Sequence, residues 1–182
     1  MRIISGVYKG KRILAPKKLP VRPTTDMAKE ALFNILNNRY YFKDVSVLDL
    51  FSGTGNISYE FASRGSKHIS AVDMNSNCIK FISRIARELN FNITPIKADV
   101  LVYLKKSDIK ADIIFADPPY NMSLNDFEKI PQLVFSNDLL TENGILIIEH
   151  SKHMNLSQCI HFSDSRKYGG SIFSFFDISK NG

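Results

Sequence analysis

The chain has 182 residues, 44% of them apolar and 23% charged, with 24 lysines and arginines against 18 acids and a net charge of +6. That length predicts one domain with a single sizeable core, and that composition excludes the disordered and fibrous classes. No apolar run approaches the ~20 residues of a membrane span, no signal-peptide core is present, and Cys78 and Cys159 have no paired spacing, so a cytoplasmic protein without membrane, disulfide framework or zinc site is expected.

The positive charge is concentrated at one end. Arg2, Lys9, Lys11, Arg12, Lys17, Lys18 and Arg22 give residues 1–22 a charge of +7 with no acid, leaving 17 basic and 18 acidic residues, or −1, for the remainder. A basic segment on a near-neutral body is an electrostatic footprint for polyphosphate, although a solubilising tail carries the same charge. Residues 2–15 hold two short β-prone pieces around Gly6 and Gly10, which predicts a small hairpin or bent strand pair with its basic residues outward. Pro16, Pro20 and Pro23 keep the connection extended. Thr24 or Thr25 caps the next helix, with Asp26 in its first turn. Met27, Ala31 and Ile35 form one i, i+4 row and Ala28, Leu32 and Leu36 another, so this helix has about three turns and packs against something apolar.

From Val45 onward strands and helices alternate. Val45–Leu50 reads as a strand, and Phe51-Ser52-Gly53-Thr54-Gly55-Asn56 as a glycine turn opening a helix through about Arg64. A strand over His68–Asp73 precedes a helix capped by Asn75, whose apolar face is Cys78, Ile79, Ile82, Ile85, Ala86 and Leu89. A third strand spans Ile93–Lys97, and Asp99 leads into a short helix to about Lys105. The fourth strand ends at Asp117, a helix follows near 124–136, and Gly144–Glu149 makes the fifth strand. The last part, with a strand near 171–177, reads as a hairpin closing the sheet edge. The alternation predicts an α/β fold with a mostly parallel sheet and helices on both faces. Residues 1–40 then form an N-terminal hairpin-and-helix extension, and residues 41–182 the core of a single domain.

Chemistry enters at Asp117-Pro118-Pro119-Tyr120, where the apolar run Asp112–Ala116 stops. Two prolines fix φ and remove two backbone donors, and Pro119 keeps Pro118 extended, so the corner is stiff. The Asp117 carboxylate and the Pro118 carbonyl become rigid acceptors with a flat ring beside them. Such a set suits a planar group bearing an NH2, as on a nucleobase; an acidic turn closed by prolines is the plainer alternative. In a parallel sheet ligands gather at the carboxyl ends of the strands. Here those ends carry Asp49, Asp73, Asp99 and Asp117. Gly53 and Gly55 let the backbone bend and a ligand approach, the helix behind them favours an anion, and Asp73 is spaced to take ribose hydroxyls. A nicotinamide dinucleotide and S-adenosylmethionine both fit this much. The dinucleotide fingerprint wants a third glycine where Ser58 stands, and a pyrophosphate gains nothing from Asp49, whereas a sulfonium and an amino group welcome it. Asp99 is a natural acceptor for the adenine amine.

Val47-Leu48-Asp49-Leu50-Phe51-Ser52-Gly53-Thr54-Gly55 together with Asp117-Pro118-Pro119-Tyr120 resembles a class I S-adenosylmethionine-dependent methyltransferase. Arg2-Ile3-Ile4-Ser5-Gly6, Arg22-Pro23-Thr24-Thr25-Asp26 and Glu30-Ala31-Leu32-Phe33-Asn34-Ile35-Leu36 narrow the likeness to the RsmD family, which methylates guanine N2 in 16S ribosomal RNA. The similarity covers nearly the whole chain, including Glu149 and Tyr168-Gly169; Met27, Gly170 and Ser5 depart from the family pattern. The resemblance implies a Rossmann-like, mostly parallel seven-stranded sheet. It implies S-adenosylmethionine along Asp49, Phe51, Gly53, Gly55, Asp73, Met74, Asp99, Val100 and Asp117. It implies catalysis at Asp117, Pro118, Pro119 and Tyr120, without a metal, and RNA contacts from Arg2, Lys9, Lys11, Arg12, Arg22, Thr24 and Thr25.

The expected partner is 16S rRNA within the small ribosomal subunit or a late assembly particle, and the expected state a monomer. The unstacked guanine would sit against Asp117–Tyr120, with its amine bonded to Asp117 and Pro118 and its ring on Tyr120. Cys78, on an apolar helix face, and Cys159 do not read as nucleophiles, and His68, His150, His153 and His161 show no ligand spacing. The rival readings are an adenine-N6 methyltransferase on DNA or RNA, a non-catalytic RNA-binding assembly factor that retains S-adenosylmethionine, and a nicotinamide oxidoreductase. The absence of an appended target-recognition domain weighs against the first.

Overall fold

Strands too apolar to leave either face wet set the centre of the molecule. In the computed structural model, which describes residues 1–16 and 24–178, β1 (Ser46–Leu50), β4 (Ala111–Ala116) and the second half of β5 (Leu140–Ser151) are buried almost throughout. With β2 (His68–Asp73), β3 (Ile93–Lys97), β6 (Phe162–Tyr168) and β7 (Ser171–Phe176) they form one seven-stranded sheet in the order β3-β2-β1-β4-β5-β7-β6. The first five strands pair in parallel, and β7 pairs antiparallel with β5 and β6, as expected of a Rossmann-like sheet closed by a terminal hairpin. Lys17, Lys18, Pro20, Arg22 and Pro23 lie outside the described residues, and with them the expectations placed on them.

Successive strand residues face opposite sides, so the sheet feeds two cores. On one side Val47, Ile113, Phe115 and Ile147 pack with α1 (Asp26–Asn37), α2 (Asn56–Ser63) and α3 (Ser76–Glu88). On the other Leu48, Leu50, Ile114 and Ile148 pack with α4 (Val100–Lys106) and α5 (Leu124–Ser136). The helix starts are capped by the residues the sequence offers: Thr25 Oγ1 accepts from Ala28 N, Asn75 Oδ1 from Asn77 N, and Asp99 Oδ1 from Val102 N. Among the described residues no helix is long and apolar enough to cross a membrane.

Three expectations need correction. The N-terminal hairpin is closed by a single antiparallel bridge, Arg2 to Arg12, with Ile3 and Ile13 buried beneath it. Some of its donors stay within it, as Ile3 N on Lys11 O and Ile13 N on Met1 O, but the ladder goes no further because others go to α2: Val7 N and Tyr8 N bond Ser63, and Ile4 N and Ser5 N bond the Glu60 carboxylate. Gly6, at φ +83°, is pressed against the same helix end; a Cβ there would fall 1.8 Å from the Ser63 carbonyl oxygen. On α1 the Ala28, Leu32, Leu36 row is buried, joined by Lys29 and Phe33, whereas Met27 of the other row is 61% exposed. Finally, β5 runs from Leu140 to Ser151, past both expected ends, because it is paired by β4 from Leu140 and by β7 as far as Ser151. Glu149 therefore stands inside the strand.

Candidate active site

At the end of β1 the chain turns back through Phe51, Gly53 and Gly55, with φ of 56°, 51° and 80°. Glycine is required at position 55, since a Cβ would meet the Tyr59 ring at 2.8 Å and Ile82 at 3.0 Å. Asp73, at the end of β2, ties the turn down. Its Oδ2 accepts from Gly53 N at 2.8 Å and its Oδ1 from Asn75 N at 2.7 Å. A carboxylate has about four acceptor positions, so these bonds orient Asp73 without exhausting it. Asp99 caps α4 and is exposed, Met74 is 70% exposed beside Asp73, Phe51 is half-buried and Val100 is buried.

Asp49 lies beneath this cradle, buried. It accepts from Ser58 N at 3.1 Å and Ser58 Oγ at 2.5 Å, and burial pushes its carboxyl up to about 7 against those two bonds. The bonded oxygen, Oδ2, thus serves the start of α2, on the acid that the sequence reading assigned to the cofactor. Ser58, where a dinucleotide site needs glycine, is its partner.

At the end of β4 comes the proline corner. Ala116 and Pro118 are buried, Asp117 is half-buried, and Pro119 and Tyr120 are exposed. The Pro119 carbonyl accepts from Met122 N at 2.9 Å and closes the turn. Asp117, Pro118 and Tyr120 open onto a cleft whose other walls are Phe127, Glu149, His150, Ser151 and Met154. Burial, then the neighbouring Glu149 and Asp49 charges, hold the Asp117 carboxyl well above the usual carboxylate range.

Glu149 is a part of this site to which the sequence reading gave no task. Its carboxylate accepts from Thr24 Oγ1 and from Ser171 Oγ, each at 2.6 Å. Thr24, expected among the RNA contacts, is thus turned inward and buried, and Thr25 is the exposed cap of α1. Behind Thr24 runs a polar network. Asn56 Nδ2 donates to the Thr24 carbonyl, and Asn56 Oδ1 accepts from Lys29 Nζ, which also bonds the Arg2 carbonyl and lies 3.3 Å from Glu60 Oε2. Burial lowers the Lys29 ammonium and the Glu60 charge counters it. Arg64 completes the set, with its Nε on Glu60 Oε1 and its guanidinium 4.5 Å from the Phe33 ring centre. Of the basic residues expected to meet RNA, Lys9, Lys11 and Arg12 are exposed on the hairpin, and Arg2 is exposed and ion-paired with Asp26 at 3.0 Å. Cys78 is buried, its thiol pushed up to about 11, and His150 is fixed between Ser174 Oγ and the Ser151 carbonyl.

A family model described as Conserved hypothetical protein 95 matches residues 1–177. Ribosomal RNA small subunit methyltransferase D of Buchnera aphidicola subsp. Baizongia pistaciae is 33% identical over 156 residues, which is 85% of this chain and 78% of that one. The chain belongs to the RsmD family. Two solved structures share its fold. A hypothetical protein of Thermus thermophilus has a TM-score of 0.84 at 22% identity, covering 98% of this chain and 99% of that one. The 16S rRNA N2 methyltransferase RsmC of T. thermophilus, in complex with AdoMet and guanosine, has a TM-score of 0.68 at 17% identity, covering 87% of this chain and 45% of that one. The fold of this RsmD-family chain is accordingly that of the class I methyltransferases.

Proposed function

We propose that this RsmD-family protein transfers a methyl group from S-adenosylmethionine to the exocyclic N2 of a guanine in 16S rRNA of the small ribosomal subunit. The observation that carries the reading is that a glycine cradle and a rigid acidic corner stand side by side at the carboxyl ends of two adjacent central strands, β1 and β4. The names of the relatives support the rRNA target.

The cradle fits the cofactor. Gly53 and Gly55 hold the turn open in left-handed backbone, Asp73 is oriented for ribose hydroxyls, and exposed Met74 and Asp99 offer an apolar contact and an acceptor for adenine. Phe51, Val100 and Asp117 complete the wall, and Asp49 keeps the turn in shape from below through Ser58. S-adenosylmethionine supplies an electrophilic methyl group there. The amine of guanine is a poor nucleophile because its lone pair is delocalised into the ring. Asp117 and the Pro118 carbonyl accept its hydrogens, favour a pyramidal nitrogen and stabilise the positive charge that grows on it. Pro118 and Pro119 hold those acceptors still, and Tyr120 stacks on the flipped base and sets its plane. Orientation of this kind supplies up to ~7–11 kcal/mol of barrier lowering in well-aligned cases. Lys9, Lys11 and Arg12 take phosphates flanking the target, so RNA binding weakens with salt.

The test is methyl transfer from labelled S-adenosylmethionine to undermodified small-subunit particles, with nucleoside analysis by mass spectrometry. Labelled N2-methylguanosine is expected. Labelled N6-methyladenosine would replace this reading by the adenine one. Binding of cofactor and RNA with no label transferred would leave an assembly factor.

A further inference from the structure

At the amino ends of the strands, opposite the proline corner, the two faces of the sheet are covered unequally. On the face that meets α2 and α3, Val47, Ile69 and Ile93 are buried. On the other face α4 begins just past the carboxyl end of β3 and holds seven residues, about 10 Å of helix, against strands of about 16–20 Å. It packs with Leu48 and Val72 and stops before the strands do. Beyond its reach this face turns polar: Ser46 stands beside His68, and Ser70 beside Thr94, in the parallel register. His68 and Thr94 are exposed, Ser46 and Ser70 half-buried. These four line a depression of about 330 Å³ whose rim includes Lys67 and Lys110.

The lining suits an anion flanked by hydroxyls. Among the described residues the Lys67 ammonium, the His68 ring and the hydroxyls of Ser70 and Thr94 have no partner. The Lys67 carbonyl accepts from Asn92 Nδ2 at 2.6 Å, which fixes the loop that carries the ammonium. Two acids stand nearby. Asp112 has its oxygens taken by Ser46 N, Ser46 Oγ and Thr141 Oγ1, and Asp138 pairs with Lys110 on the surface. An exposed pair of that kind contributes little, so Lys110 can exchange it for a phosphate. In the adjoining turn Lys105 and Lys106 add two positive charges and Asp108 one negative. Lysines for phosphate, with hydroxyls and an imidazole for sugar oxygens, are what holds a nucleic-acid backbone without reading its bases. Lys67, His68, Thr94 and Lys110 are all exposed, so the site is an open trough that a chain can pass through; small-molecule sites enclose most of their ligand. β4 runs six residues from Ala111, which also lines the depression, to the corner, a distance of about 20 Å.

We propose that this depression holds the phosphate backbone of a second segment of the RNA substrate, about 20 Å from the target base. This rests on the rRNA reading above.

The experiment measures binding of undermodified small-subunit particles against salt concentration, and steady-state methyl transfer, for wild type and Lys67→Gln/Lys110→Gln. The double variant should lower the slope of log affinity against log salt by about 1.4–1.8. It should raise KM for the particle roughly three- to tenfold and leave kcat within about twofold, because the site is remote from the chemistry. Lys80→Gln/Arg87→Gln removes the same charge from the exposed face of α3 and should leave slope and KM near wild type. Thr94→Phe fills the depression and keeps every charge; it should weaken particle binding about threefold or more. An α3 pair that matches the double variant overturns the proposal, since a general field would then act in place of a site. Unchanged binding by Thr94→Phe overturns the depression as the place of contact. Adenosine monophosphate that binds wild type and not the double variant, with particle affinity unchanged, overturns RNA as the occupant in favour of a free nucleotide. A wild type that labels guanine while the double variant keeps its slope and KM defeats this site alone. A wild type that neither binds particles nor labels guanine defeats the rRNA reading itself.

Discussion

The two halves of the sheet build their acidic groups in different ways. In the half made of β1, β2 and β3, each acid is engaged by a group of that same half: Asp49 by Ser58, Asp73 by Gly53 and Asn75, Asp99 by Val102. In the half made of β4, β5 and β7, Glu149 is aimed by Ser171 and by Thr24, the latter 125 residues away and outside the sheet. In the first half the acids are held from within that half. In the second, Glu149 takes a hydroxyl from Thr24 of the N-terminal extension, so loss of that hydroxyl should reach the corner and spare the acids of the cradle.

The largest effect should come from Lys29→Met. It leaves Glu60 buried with one cation fewer and unpins Asn56 and the Arg2 carbonyl, so unfolding by denaturant should show a loss of about 3–5 kcal/mol. A loss under about 1 kcal/mol would mean that the extension is not locked to the sheet. Next, Gly55→Ala strains the left-handed turn and crowds Tyr59, costing about 1–3 kcal/mol and weakening S-adenosylmethionine binding by calorimetry. Thr24→Val is its counterpart in the other half. It should cost about 1–2 kcal/mol and slow methyl transfer while leaving cofactor affinity unchanged. Equal effects of the two on cofactor affinity would erase the distinction between the halves.

The smallest effect concerns Asp49 and pH. Its folded-state value is raised, so its contribution to stability is fully present below the ordinary carboxylate value of about 4 and is lost as pH rises through about 7. Without ligands, wild type should lose about 1 kcal/mol between pH 6 and pH 8 that Asp49→Asn does not. Parallel pH profiles for the two proteins would place that acid's titration elsewhere.

The same division explains what could be seen in advance. Helix caps were legible because each is fixed by residues a few positions apart, as with Asn75 and Asp99, and the glycine turn because its glycines stand together at the end of an apolar strand. The helix-capping use of Asp99 and the burial of Asp49 show that an acid at a strand end serves the turn it stands on as well as a ligand. Lys29 was not legible as a core residue: a lysine on an apolar face reads as solvated, and only the arrival of Glu60 and Asn56 from another helix makes burial tolerable. Glu149 carried one signal, its place at the end of an apolar run, but the register that sets it beside Asp117 depends on the long pairing of β5 with both neighbours.

The most direct test of the central claim is single-turnover methyl transfer by Asp117→Asn beside wild type, with cofactor and small-subunit particles saturating. The amide keeps the shape of the side chain and removes its charge, so the rate should fall by about 10²–10³-fold while binding of cofactor and particle holds. A rate within a fewfold of wild type would contradict the account, because the amine would then be activated by something other than the acid at the end of β4.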